Sequence, residues 1–65
     1  MKGTVKWYDG TKGYGFILAE DNNDIFVHRS GLESTITSLE PGETVEFEIG
    51  QGKKGSVATN VTKVD

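Results

Sequence analysis

Aromatic side chains stand two residues apart at two places in the chain. Tyr14 and Phe16 lie within Lys12-Gly13-Tyr14-Gly15-Phe16-Ile17, and Phe26 and His28 lie within Ile25-Phe26-Val27-His28. Residues two apart on an extended strand share a face. Ile17, Ile25 and Val27 then point the other way, so each stretch has two non-polar faces. One can be a core. The other carries rings, and the chemistry rings offer is stacking. Nucleophilic and acid–base chemistry is poorly supplied: there is one histidine, there is no cysteine, and no carboxylate stands near His28 beyond Asp24. The same shortage excludes most metal clusters. Glu46 and Glu48 share a strand face and read as solvated. The chain is therefore not expected to be an enzyme or to carry a metal or cofactor.

Rings on an outer face need elements to hold them there. Nine glycines and one proline punctuate short apolar runs, an all-β signature. No window of helical length carries apolar residues at helical spacing. The spacing predicts strands at Lys2 to Tyr8, Tyr14 to Ala19, Asp24 to His28, Thr44 to Ile49 and Val57 to Val64. In the first, alternation pairs Val5 with Trp7 and Lys6 with Tyr8, leaving a ring on each face. Asp9-Gly10 marks a turn, so the first two strands form a hairpin. Gly13 and Gly15 predict a bend, a bulge or the close approach of another backbone. Ser30-Gly31-Leu32 reads as a single 3₁₀ turn, with Leu32 and Leu39 packing inward and Ile36 stranded in a polar loop. Glu40-Pro41-Gly42-Glu43 has the order of a type II turn. The fourth strand sends Val45, Phe47 and Ile49 inward and Thr44, Glu46 and Glu48 outward. Gly50 to Gly55 reads as a flexible basic loop. In the last strand, Val61 and either Val57 or Val64 face the core.

Five short strands with glycine bends fit a closed barrel, since closure removes exposed sheet edges. An OB-type barrel and an SH3-like barrel both satisfy the pattern. With 65 residues, residues 1–65 are expected to form one domain. A chain of this size buries only about 60% of its unfolded surface, so stability is modest. No apolar run reaches the roughly 18 residues of a membrane span, and Met1-Lys2-Gly3 leads into strand-like sequence rather than a signal peptide.

The formal net charge of −3 argues at first against a polyanionic ligand, but the signs are separated. Lys2, Lys6 and Lys12 outnumber Asp9 before Glu20. Glu33, Glu40, Glu43, Glu46 and Glu48 make the following body acidic. Lys6, Lys12 and Arg29 flank the ring-bearing face, a setting that suits stacked bases with phosphates at the rim. The rival occupant is a proline-rich peptide in an SH3-like groove, which usually calls for acidic rather than basic flanks.

Lys12-Gly13-Tyr14-Gly15-Phe16-Ile17 resembles the first nucleic-acid-binding motif of cold-shock domains, and Ile25-Phe26-Val27-His28 resembles the second. Gly3-Thr4-Val5-Lys6-Trp7-Tyr8 is similar to their first strand, and Ala58-Thr59-Asn60-Val61 to their last. The first motif also resembles one in RNA-recognition-motif domains, but that fold needs two helices and more residues. The resemblance implies an all-β fold, a five-stranded antiparallel OB-type barrel, that binds single-stranded RNA and DNA. It implies an RNA chaperone, and the chain is expected to be a cytoplasmic, monomeric protein of the stress response with no membrane partner. The positions implicated are Lys6, Trp7, Lys12, Tyr14, Phe16, Phe26 and His28, with Lys54 before the last strand. It also puts Trp7 on the ligand face with Val5 inside, which requires a bulge or strong coiling between them. Three positions depart from the family. Arg29 follows the histidine where an aromatic is common, Ile36 stands in a shorter loop that commonly carries a ring, and Ser56 replaces a common proline. Arg29 is expected to compensate in part, by stacking on a base or binding phosphate.

Overall fold

The structure is a computed structural model that describes residues 1–52 and 55–64. Its strands are β1 (Lys2–Asp9), β2 (Tyr14–Ala19), β3 (Asp24–His28), β4 (Thr44–Gly52) and β5 (Gly55–Lys63), with a 3₁₀ turn at Arg29–Gly31 after β3. They close into a barrel in the order β1-β2-β3-β5-β4. All pairings are antiparallel except the closure of β3 on β5, which runs parallel through Phe26 opposite Val57 and Val27 opposite Ala58. The exception follows from chain order. A long connection leaves β3, and the β4–β5 hairpin then returns β5 in the direction of β3.

The interior holds Val5, Ile17, Ala19, Ile25, Val27, Leu39, Val45, Phe47, Ala58 and Val61. Phe47, its largest fully buried side chain, fills the centre that four strands supply with small and branched residues. Tyr8, Leu32 and Ile36 pack against this cluster from its ends. Ile36 is thus not stranded in a polar loop. Its N–H donates to the Glu33 carbonyl (2.9 Å), a turn that folds the side chain back onto the barrel. The turn at Glu40 to Glu43 forms as expected, with Gly42 at φ 89° and the Glu43 N–H donating to the Glu40 carbonyl (3.1 Å).

Two strands depart from strict alternation. In β1 the register slips between Val5 and Trp7: Val5 lies opposite Ile17, yet Trp7 lies opposite Phe16. Lys6 is the extra residue of a bulge. In β5 the slip falls where Glu46 faces Thr62 and Glu48 faces Thr59, and Asn60 adopts φ 50°. That extra residue brings Ala58, rather than Val57 or Val64, inward beside Val61. Ile49 pairs with the buried Ala58 but is itself 41% exposed. It does not join the core as the alternation predicted. Nor is Gly50 to Gly55 simply a loop: the ladder continues through Gln51 opposite Ser56 to Gly52 opposite Gly55. The 3₁₀ turn starts at Arg29, one residue earlier than the pattern implied, because the His28 side chain caps it.

Candidate nucleic-acid interface

The bulge at Lys6 sets the geometry of the outer surface. Beyond it Trp7 turns outward, 41% exposed, while Tyr8 packs toward the core. Trp7 then stands in one row with Phe16, Phe26 and Val57, crossing β1, β2, β3 and β5. Tyr14 lies in the next row, opposite His28. The close spacing of β1 and β2 depends on Gly15, where a Cβ would collide with the Trp7 carbonyl oxygen and come within 2.7 Å of Tyr8 Cα. This is the close backbone approach that a strand glycine signals.

Four rings form a closed circuit. Trp7 lies 5.7 Å from Tyr14 and 5.7 Å from Phe16, Tyr14 lies 5.9 Å from Phe26 at an interplanar angle of 27°, and Phe16 lies 5.7 Å from Phe26 at 76°. Mutual packing leaves Tyr14, Phe16 and Phe26 half-buried, holds their planes and still offers one side of the cluster to a ligand. Edge-to-face and offset contacts of this kind add about 0.5–1.5 kcal/mol per pair beyond area burial.

His28 is exposed at the end of β3. Its Nδ1 accepts the Ser30 backbone N–H (3.1 Å) and lies 2.9 Å from Ser30 Oγ. With Nδ1 accepting, the proton of the neutral ring sits on Nε2, so the ring is oriented and has a free donor. Lys6 Nζ lies 3.2 Å from both carboxylate oxygens of Asp24, which neutralises that edge of the cluster. Lys12 is exposed. Its backbone N–H (3.0 Å) and that of Thr11 (2.9 Å) both donate to Asp9 Oδ1, the Asx turn that joins β1 to β2. Arg29 lies at the other edge, beside Gly13. Lys54 falls outside the described residues.

Lys6, Trp7, Tyr14, Phe16, Phe26 and His28 are thus brought onto one surface of β1–β3, with Lys12 and Arg29 at its margin. Ile36 packs on the core instead. Beside the rings runs a groove of about 730 Å³ lined by Phe16, Asn23, Asp24, Ile25, Phe26, Gly55, Ser56 and Val57. Asn23, Ser56 and Val57 were not readable as site residues in the sequence. Val57 was hidden by the β5 bulge, and the polar pair carries no periodic signal.

The glutamates lie elsewhere. Glu46 and Glu48 project from β4, which pairs with neither β2 nor β3. Asn60 Nδ2 donates to Glu48 Oε1 (2.6 Å). Glu43 accepts the Glu40 N–H (2.7 Å) and pairs with Lys63 (3.3 Å). The backbone donor, aided by Lys63 and opposed by burial, holds its carboxyl below the usual value. Glu33 is lowered in the same way, first by the Thr35 hydroxyl. Among the described residues no cluster of three or more histidines and carboxylates could hold a metal ion, and no helix is long and apolar enough to cross a membrane.

Comparison with known proteins agrees with this geometry. The sequence model of the 'Cold-shock' DNA-binding domain matches residues 1–64. A cold shock-like protein of Thermotoga maritima is 48% identical over 66 aligned positions, covering 100% of both chains. The cold shock proteins CspA of Staphylococcus saprophyticus and Staphylococcus aureus are each 48% identical over 64 positions, covering 97% of both chains. A match that runs end to end, on a barrel whose β1–β3 surface carries both ring motifs, makes this chain a member of the cold-shock domain family.

Proposed function

We propose that the chain binds single-stranded RNA and DNA across the outer face of β1–β3 and acts as an RNA chaperone, holding weakly paired strands open, with effects on transcription or translation. The observation that carries this reading is the four-ring circuit of Trp7, Tyr14, Phe16 and Phe26, an apolar surface presented outward by strands whose other face already fills the core. Full burial of a ring is worth about 1.5–3 kcal/mol; these rings, partly exposed, forgo a share of it, and stacked bases contribute about 1–3 kcal/mol each. Every base has a π-face, so such binding tolerates sequence variation. Lys12, Arg29 and Lys54 neutralise phosphates, Lys6 does so on exchanging its exposed pair with Asp24, His28 donates from Nε2, and binding weakens with salt. In this reading the protein is a cytoplasmic monomer of one domain that uses no metal or cofactor and catalyses nothing.

The test is a titration of Trp7 fluorescence with short oligothymidine and oligouridine at two salt concentrations. Stacking predicts quenching that saturates at low salt and weakens at high salt. Absence of quenching at low salt, with quenching by a proline-rich peptide instead, would overturn the proposal.

A further inference from the structure

The two edges of the ring surface differ electrostatically. At one edge Lys6 is paired with Asp24. At the other stand Lys12 and Arg29. Among the described residues, ion pairs form at Lys6–Asp24 and Lys63–Glu43, and neither Lys12 nor Arg29 takes part.

Arg29 also has a seat. Its Nε lies 2.8 Å, and its Cζ and Nη2 lie 3.0 Å, from where a Cβ on Gly13 would stand. Gly13 has φ 79°, a conformation that disfavours side chains, so the space for the guanidinium is built into the backbone. The Arg29 N–H donates to the Gly13 carbonyl (2.7 Å), and the Gly13 N–H donates to the Asp9 carbonyl (2.7 Å). The backbone of Lys12, the residue before Gly13, is held by the bond of its N–H to Asp9 Oδ1. One short turn therefore carries one cation and seats a second. The exposed guanidinium lies against the Gly13 backbone. Its planar fork suits two oxygens of one phosphate.

We propose that Lys12 and Arg29 form a phosphate clamp at the Tyr14–His28 edge, gripping the backbone of a single strand where it leaves the rings. Arg29 then does not replace a missing ring. It exchanges a base contact for a backbone contact. The proposal rests on the reading that the ring face binds single strands.

Wild type, Arg29→Gln, Arg29→Lys and Arg29→Phe are titrated with a short oligothymidine by Trp7 fluorescence between about 50 and about 200 mM salt. Each phosphate neutralised on a single strand contributes about 0.7 to the slope of log K against log salt. Arg29→Gln and Arg29→Phe are expected to reduce the steepness of that slope by about 0.7. Arg29→Lys keeps the charge and is expected to keep the slope. Lys12→Gln combined with Arg29→Gln should reduce it by about twice as much, or about 1.4. An unchanged slope in Arg29→Gln, or an Arg29→Lys variant that loses as much affinity as Arg29→Gln, would show a stacking role and overturn the clamp. Quenching of wild type alongside either result leaves the ring face standing, whereas no quenching of wild type removes both readings.

Discussion

β3 and β4 are both alternating strands of the same barrel, and their outer faces have nothing in common. β3 sends Ile25 and Val27 inward and turns Phe26 and His28 out. β4 sends Val45 and Phe47 inward and turns Glu46 and Glu48 out. The inner faces are interchangeable in kind, since a small barrel needs only apolar volume there. The outer faces separate a wall of rings from a wall of carboxylates. A phenylalanine's role is therefore decided by phase and neighbours, not by type: Phe47 holds the fold together, while Phe26 is half-buried among other rings.

Substitution can break that contrast. The largest effect is expected for Phe47→Ala, which empties the centre of the core. A buried Phe→Ala change costs about 3–5 kcal/mol, comparable to the whole stability of a domain this small, so denaturant unfolding should find the variant largely unfolded. Phe16→Ala removes a ring of similar size from the outer row. Its unfolding midpoint should move far less, while oligothymidine affinity read by Trp7 fluorescence should fall about 5- to 150-fold, the equivalent of about 1–3 kcal/mol. If Phe16→Ala unfolded the protein as Phe47→Ala does, the distinction between the two faces would fail.

A smaller effect belongs to the turn that leads into β4. Glu43 has its carboxyl held below the ordinary 4.5, so the folded state favours the ionised form. The stability it contributes is present above the unfolded value and is lost as pH falls through the folded one. Glu43→Gln should lower the thermal midpoint at neutral pH, by no more than about 1 kcal/mol in stability, and the difference from wild type should vanish in acid. A difference that grew in acid would have the wrong sign. The smallest effect is expected at Glu46. Glu46→Gln should change stability by less than about 0.5 kcal/mol and leave oligothymidine affinity at physiological salt unchanged.

β2 and β3 are legible in the sequence to the residue, because Asp9-Gly10 and the Glu20 to Asn23 turn bracket them and their alternation is unbroken. The ring surface is legible for the same reason. Alternation fails where one strand carries an extra residue. At Asn60 that residue moves Ala58 into the core and Val57 to the end of the ring row, and nothing in the residue types announces it. The β4–β5 ladder through Gly50 and Gly52 is unreadable because glycines carry no hydrophobic phase. In β1 alternation alone leaves Trp7 and Tyr8 undecided. The likeness to a known family supplied the bulge there, and the register at Lys6 bears it out. The seat of Arg29 on Gly13 has no sequence signal, since it depends on a turn and a strand end meeting through the β2–β3 ladder.

The bulge at Lys6 makes β1 a strand with two grammars. Up to Val5 its even and odd positions answer to the interior, and from Trp7 onward the parity is reversed. The side chain of Lys6 is open to exchange as far as the fold is concerned, because it is exposed. The bulge it makes is not. Were β1 to pair regularly through Lys6, with every residue kept and no bulge, Trp7 would turn inward and Tyr8 outward, so the barrel would be offered an indole where it holds a phenol and the outer row would lose its first ring. At this position the chain stores information in spacing rather than in chemistry.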